Sequence, residues 1–307
     1  MPMVTNAELL QKAQVGHYAI GAFNINNMEI VQAVVSAGKE KNSPAILAVS
    51  EGAIKYAGFD YIITLYRTAV KESGLPLALH LDHGQDMEVI KYCIEGGFTS
   101  VMIDASKLPF EENISATKAV VELARPRGIS VEAELGRLAG VEDIVSVDER
   151  EAILTDPKSA DEFVKKTGVD ALAVAIGTSH GAYKFKGDPK LDIERLKEIV
   201  KACGIPIVLH GASGVPNWVL TTATKFGAEL KGAKGVPDEA IKEAVKNGVC
   251  KVNIDTDIRL AMVGAIRQVF AENPAEFDPR KYLGPARQAI KKVVGEKMEL
   301  LGSTDKA

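Results

Sequence analysis

The chain has 307 residues, about twice the usual single-domain length yet within the span of one large α/β barrel. Its 37 basic and 41 acidic residues leave a net charge of −4, beside 46% apolar and 25% charged residues; this excludes a disordered chain and argues against a nucleic-acid or polybasic membrane binder. The three cysteines, Cys93, Cys203 and Cys250, have no short spacing, which excludes a disulfide scaffold or Cys-rich zinc module and fits a reducing compartment.

The opening MPMVTNAELLQKAQ has no basic stretch followed by an apolar run, so it does not read as a signal peptide. Thr5 and Glu8 stand at capping-box spacing and predict a helix start. No run of eighteen apolar residues occurs, so no membrane partner is expected and a cytoplasmic location is.

Eight β-rich runs follow: 17–25, 44–51, 76–84, 100–106, 129–136, 170–179, 205–213 and 248–257. Several are nearly continuous in Val, Ile, Leu and Ala, as parallel strands buried on both faces require. Between them lie helical candidates such as 28–42, 111–128 and 192–204, the last two ending at glycine. Strand and helix alternate eight times, which predicts an α/β fold of the (β/α)8 TIM-barrel type. A doubly wound open sheet is the alternative, but no glycine-rich nucleotide fingerprint follows any strand. Two segments break the rhythm: a polar loop at about 137–158, expected to be a mobile lid or binding loop, and an insertion at about 216–247 with extra helices. The tail from Arg280 to Leu301 reads as a closing amphipathic helix, and one domain spanning 1–307 is the expectation.

Barrel enzymes draw catalytic groups from the C-terminal ends of their strands. Those ends here carry Asn24, Ser50, Asp82 with His83, Asp104, Glu134, His180, His210, and Asn253 with Asp255. A lone histidine at a strand end is more often a hydrogen-bonded structural residue, and His17 and His80 fit that reading. His83, His180 and His210 differ because the fold would converge them on one mouth, although spacings of 97 and 30 residues form no local motif. Three imidazoles with an open fourth position suit a catalytic zinc. Asp82, Asp104, Glu132 and Glu134 lie in apolar runs where an unanswered charge is costly. A salt bridge is the bland answer, but few Lys or Arg share those ends, so a metal, a catalytic proton or both is the expected one. Strict alternation would point Asp82 and His83 to opposite faces, so both reach the mouth only if the strand relaxes at Gly84. Gly211–Gly214 and Asn253–Thr256 follow the seventh and eighth strands, where barrels often bind phosphate; a tight turn is the bland reading of the first. Arg259 and Arg280 either meet a second phosphate or form surface ion pairs.

LHLDHG (79–84), EAELG (132–136), AIGTSHGAYKF (175–185), LHGASG (209–214) and KVNIDTDIRLA (251–261), in this order, resemble class II fructose-1,6-bisphosphate aldolase over nearly the whole chain. The sequence looks like the longer branch, with LKGAKGVPDE inserted after the seventh strand. The resemblance implies reversible cleavage of fructose 1,6-bisphosphate to dihydroxyacetone phosphate and glyceraldehyde 3-phosphate. It implies that His83, His180 and His210 hold Zn2+, that Asp82 is the acid/base on the C4 hydroxyl, and that Asp104 and Glu134 hold a second divalent position. By the same resemblance Gly181, Gly211, Ala212, Ser213, Asn253, Ile254, Asp255 and Thr256 cradle the dihydroxyacetone phosphate end. Ser50 touches the aldehyde half, Glu142 swings in on the loop, and Arg280 reaches the far phosphate in a neighbouring subunit of a homodimer or homotetramer. A monovalent cation, Na+ or K+, is also implied. Tagatose-bisphosphate aldolases are close relatives, so the stereochemistry at C4 stays open. A Schiff-base aldolase would need a lysine at a strand end, and none ends in one: Lys251 lies near the start of the eighth strand, and Lys184 and Lys186 lie beyond the sixth. A sugar-phosphate-binding barrel without catalysis is the rival from another class.

Overall fold

A computed structural model describes residues 3–136, 139–142, 145–147, 154–180, 191–230 and 235–307, with backbone alone at 139–142, 145–147 and 179–180. Eight parallel strands close a barrel: β1 (Ile20–Asn24), β2 (Ala45–Ser50), β3 (Leu77–Gly84), β4 (Ser100–Ile103), β5 (Ser130–Leu135), β8 (Ala171–Val174), β10 (Ile207–Leu209) and β11 (Val249–Ile254). Each pairs with its neighbours in chain order, and β1 meets β11 through Ile20↔Lys251 and Ala22↔Asn253. All eight runs expected from the sequence are these strands.

Alternation sorts the strand side chains into two layers. Phe23, Leu47, Leu79, Val101, Val131 and Leu172 point outward and pack under the helices. The inward set at the N-terminal end is small: Ala22, Ala48, Ala78, Ala171 and Ala173, with Ile20, Ile46 and Val208. That bore would be left underfilled, and α1 (Asn6–Gly16) fills it by seating Leu9, Leu10 and Ala13 against these residues. The capping box expected at its start is present: Glu8 N–H donates to Thr5 Oγ1 at 3.1 Å and Thr5 N–H donates to Glu8 Oε2 at 2.7 Å. The helix ends at His17, whose left-handed backbone (φ 54°) donates to Ala13 O; this histidine is structural, as expected.

The outer helices that matter for the mouth are α2 (Met28–Lys41), α3 (Glu51–Ala57), α8 (Ile193–Cys203), α11 (Thr256–Glu272) and α12 (Pro279–Leu300). The helix expected over 111–128 is α6 (Phe110–Ala124); a 3-10 turn carries Arg125–Arg127, because Pro126 has no N–H to extend the ladder. The insertion after β10 contains two helices among the described residues, α9 (Asn217–Lys225) and α10 (Asp238–Lys246). The closing helix is α12, which lies between α2 and α11. Within the long segment after β5, β6 (Ala139–Glu142) and β7 (Val145–Val147) form a hairpin, and β6 also pairs with β9 (Ser179–His180). The sixth barrel strand therefore ends at Val174 and not at 179. Gly177, at φ 106°, turns the chain out of the barrel, and His180 is carried on this small side sheet. No helix among the described residues is long and apolar enough to cross a membrane.

Because Leu10 is fully buried in the bore, Leu10→Ala should destabilise the fold by about 2–5 kcal/mol, read as a lowered denaturation midpoint.

Candidate active site

The C-terminal mouth is built on an irregularity in β3. The register with β4 shifts between Leu81 and Gly84, and His83 takes a left-handed conformation (φ 49°). This break turns two consecutive side chains, Asp82 and His83, into the same mouth. The relaxation expected at Gly84 thus occurs one residue earlier, at His83 itself. Gly84 is still required, because a Cβ there would lie 2.5 Å from Met102 O on β4.

His83, from β3, and His210, directly after β10, meet edge-to-face, with His83 Nε2 and His210 Nδ1 2.7 Å apart. Each ring's other nitrogen faces a carboxylate: His83 Nδ1 lies 3.2 Å from Asp104 Oδ2, and His210 Nε2 lies 2.8 Å from Glu132 Oε1. Those contacts fix the tautomers and leave the two facing nitrogens as donors to a metal. Glu134 Oε2 lies 3.9 Å from His83 Nδ1 and 3.8 Å from His210 Nδ1, is buried and has no hydrogen-bond partner among the described residues. Two ligand sets of metal-binding size result, sharing His83: Asp82, His83 and His210, and His83, Asp104 and Glu134. This donor set, with an orphaned carboxylate oxygen at its centre, fits a divalent metal.

Asp82 is buried, and both its oxygens are held by amides: Asn24 Nδ2 donates to Oδ2 at 2.9 Å and Asn253 Nδ2 to Oδ1 at 2.8 Å. Burial raises its pKa, but the nearby His83, His210 and Lys251 outweigh that and hold it below the ordinary carboxylate range. The Oδ1 atoms of Asn24 and Asn253 are buried without a hydrogen-bond partner among the described residues.

One layer below lies a group that the sequence reading misjudged. Glu132 was expected to need a metal or a proton; instead Lys251 Nζ donates to its Oε1 at 2.9 Å and its Oε2 at 2.8 Å, with both side chains buried. Lys251 Nζ also lies 3.3 Å from His80 Nε2, whose Nδ1 meets Ser100 Oγ at 2.8 Å. Burial first, then Lys251, lowers the His80 pKa well below its usual value, so His80 is the neutral structural imidazole expected. No local spacing announces this network, because Glu132 and Lys251 are 119 residues apart.

The phosphate candidates also assemble. Gly211, at φ 61°, and the buried Ala212 and Ser213 follow β10. Asp255 stands before α11 without any side-chain cap, which leaves the first N–H groups of a 17-residue helix for an anion. Ala212 and Ile254 point into the outer core and can contribute only backbone. Arg259 Nε pairs with Asp255 Oδ1 at 2.7 Å. Ser50 caps α3, with Ala53 N–H donating to its Oγ at 3.1 Å. Arg280 is not brought to this mouth within the chain: it is exposed and forks onto Asp278, with Nη2 donating to Oδ2 at 2.7 Å. Gly181 and the side chains of His180 and Glu142 lie outside the described residues.

The profile of the family described as "Fructose-bisphosphate aldolase class-II" matches residues 4–306. The chain belongs to this family. It is 51% identical to the "Fructose-bisphosphate aldolase" of Helicobacter pylori over 305 residues, 99% of both chains, and 51% identical to that of Thermus caldophilus, over 99% of this chain and 100% of the relative. Among solved structures it is similar to the YdjI aldolase of Escherichia coli K12, with TM-score 0.81, 33% identity and complete coverage of both chains.

Two predictions follow from the charges. Lys251→Met should cost about 3–5 kcal/mol by stranding Glu132, and adding Glu132→Gln should restore much of it in the same denaturation assay. In the metal-free protein, burial lowers the His83 pKa, but Asp82, Asp104 and Glu134 reverse this and hold it well above the usual value. Burial and the neighbouring Asp104 raise Glu134 well above the carboxylate range. Both groups hold their protons more tightly than they would in water, so metal binding competes with protons and weakens as pH falls. Titration calorimetry in buffers of different ionisation enthalpy should register proton release on metal binding that grows as pH is lowered.

Proposed function

We propose that this chain catalyses the reversible cleavage of fructose 1,6-bisphosphate to dihydroxyacetone phosphate and glyceraldehyde 3-phosphate, with zinc as the catalytic metal. The observation that carries the reading is the pair of facing imidazole nitrogens, His83 Nε2 and His210 Nδ1, whose other ring nitrogens are taken by carboxylates, beside a clamped and ionised Asp82. His180 supplies the third imidazole, a set that suits zinc by ligand type. Asp104 and Glu134 serve a second divalent position. Bound zinc would polarise the ketose carbonyl and offset the negative charge left as the C3–C4 bond breaks.

The remaining work falls to the chain's own groups. Asp82 takes the C4 hydroxyl proton in cleavage and returns it in condensation, since a base must be ionised and aimed before it can act. Asn24 and Asn253 aim it, and their unpartnered Oδ1 atoms are acceptors for substrate hydroxyls. Glu142 handles the C3 proton from the loop after β5 and excludes water when that loop covers the mouth. Gly181, Gly211–Ser213 and Asn253–Thr256 bind the phosphate of the dihydroxyacetone half, aided by the uncapped start of α11. Arg259 neutralises Asp255 beside that phosphate. Ser50 contacts the aldehyde half. The partner subunit's Arg280 reaches the far phosphate in a cytoplasmic homodimer or homotetramer.

In the zinc-loaded enzyme, Asp82→Ala should lower kcat by about 10²–10⁴ while metal analysis shows zinc retained. Cleavage should stop with a chelator and return on adding zinc. Activity that survives EDTA and is trapped by borohydride would instead demand a Schiff base, and an Asp82→Ala protein unchanged in every property would leave only a binding barrel. Steady-state comparison of fructose and tagatose bisphosphates should give the larger kcat/KM for fructose.

A further inference from the structure

Against the Gly211–Gly214 loop sits a buried lysine that the reaction as derived does not use. Lys297, from α12, donates from Nζ to Gly214 O at 2.6 Å. It also lies 3.3 Å from Asp257 Oδ2, on the first turn of α11, and 3.5 Å from Asp238 Oδ1, on the first turn of α10. Its side chain is only 6% exposed and that of Asp257 is 0% exposed, so this is an internal charge and not a surface ion pair.

We propose that Lys297 is a positioning residue for phosphate: it sets the orientation of the Gly211–Gly214 loop and cancels a buried negative charge at the same helix start. The proposal rests on the reading of that loop as the phosphate cradle. The first half of the argument is peptide geometry. Ser213 O accepts from Val236 N–H at 3.1 Å, and Gly214 O accepts from Lys297. Carbonyl and N–H point to opposite sides of a trans peptide, and no peptide among the described residues is cis. Holding Ser213 O at Val236 and Gly214 O at Lys297 fixes two successive peptide planes at the end of the loop, and Gly235 packs against the same stretch, where its Cβ would lie 2.9 Å from Val215 N. A backbone cradle binds an anion only if its peptides already hold their direction, and Lys297 supplies one of the two ties that hold these. The approach is close: a Cβ on Gly235 would lie 2.5 Å from Ser213 O, and one on Gly214 would strike Val236 O.

The second half is charge. Asp257 lies in the first turn of the helix whose start faces the phosphate, and among the described residues neither of its carboxylate oxygens has a hydrogen-bond partner, which leaves the ion pair with Lys297 to answer its charge. Without Lys297 that buried charge would stand against an incoming phosphate dianion. With it, the helix start keeps its attraction for anions. Lys297 acts on substrate only through the loop and through Asp257, so its removal should weaken phosphate binding more than the chemical step.

The test uses the zinc-loaded enzyme and measures KM and kcat for fructose 1,6-bisphosphate and the competitive Ki of inorganic phosphate. Lys297→Met should raise KM and the phosphate Ki by about tenfold or more, as for loss of a charged hydrogen bond, with kcat changing less than about threefold. Lys297→Arg should recover most of the Ki. Lys297→Met with Asp257→Asn should recover part of it, since the repulsion is gone and the tether is not. If the single variant fails to fold, this pair, which strands no buried charge, carries the same comparison with the wild type. A folded Lys297→Met enzyme with wild-type Ki, or one that loses kcat at unchanged KM, overturns the role of Lys297 and leaves the loop reading standing. A wild-type enzyme that phosphate does not inhibit overturns both.

Discussion

A lysine and a glutamate that meet on the barrel axis hold the mouth in shape. Lys251 and Glu132 are both removed from water, a costly arrangement that a hydrophobic pair of equal volume would often match or better in stability. Its return lies one layer higher. Both Glu132 oxygens accept from Lys251, and Oε1 uses its remaining lone pair on His210 Nε2, which commits His210 Nδ1 to the mouth. Burial, and then the facing Lys251, keeps His80 neutral, so a third ring in the bore adds no positive charge beneath the site. An apolar replacement would fill the space but leave His210 free to rotate or to take the other tautomer. The ion pair thus converts the rigidity of a closed barrel into the direction of one imidazole nitrogen.

The layers of the bore follow from this. At the bottom, alanines leave room that α1 fills with Leu9 and Leu10. In the middle, Lys251, Glu132, His80 and Ser100 satisfy one another. At the top, Asp82, His83, Asp104, Glu134 and His210 remain for chemistry. Barrel interiors are usually filled by bulky branched residues in successive layers. Here the apolar filling is delegated to a helix outside the strand set, which frees the strands' inward positions for polar groups.

How much of this could be read in advance depends on the range of the interaction. The eight strands were legible because burial on both faces leaves continuous apolar runs, and Asp82, Asp104 and Glu134 stood out as charges inside them. The conflict between Asp82 and His83 was legible too, since two-residue alternation forbids them one face; the sequence could not show that His83 itself would take the left-handed backbone. His180 was assigned to a barrel strand because 170–179 reads as one apolar run, whereas Gly177 turns the chain away after Val174. Glu132 was misassigned because its partner is 119 residues distant and a pairing of that range leaves no local pattern. Lys297 did leave a trace. Ala286, Ile290, Val293, Val294 and Met298 form the buried stripe of α12, and Lys297 falls on it four residues after Val293. A charge on the apolar face of an amphipathic helix is a buried charge, and a buried charge needs a partner.

The distribution of charge divides the mouth into two halves with different tasks. On the metal side, Asp82, Asp104, Glu132 and Glu134 supply four carboxylates, and Lys251 pairs with Glu132. Four ionised carboxylates against one ammonium would leave 1 − 4 = −3 in a buried volume. Without a metal this crowding of carboxylates favours protonation, and the pKa of both His83 and Glu134 is raised. A dication removes the same excess without protons, so this half is poised for metal by its own imbalance. On the phosphate side each of the two buried acids faces a cation, Asp255 Arg259 and Asp257 Lys297, and the exposed Asp238 shares Lys297. Near-neutral side chains leave the partial positive charge of the α11 start and the loop backbone as the field an incoming phosphate meets. A net charge of −4 is therefore no obstacle to a doubly phosphorylated substrate, because the acidic excess near the site is spent on holding the metal and the phosphate side is balanced by dedicated cations.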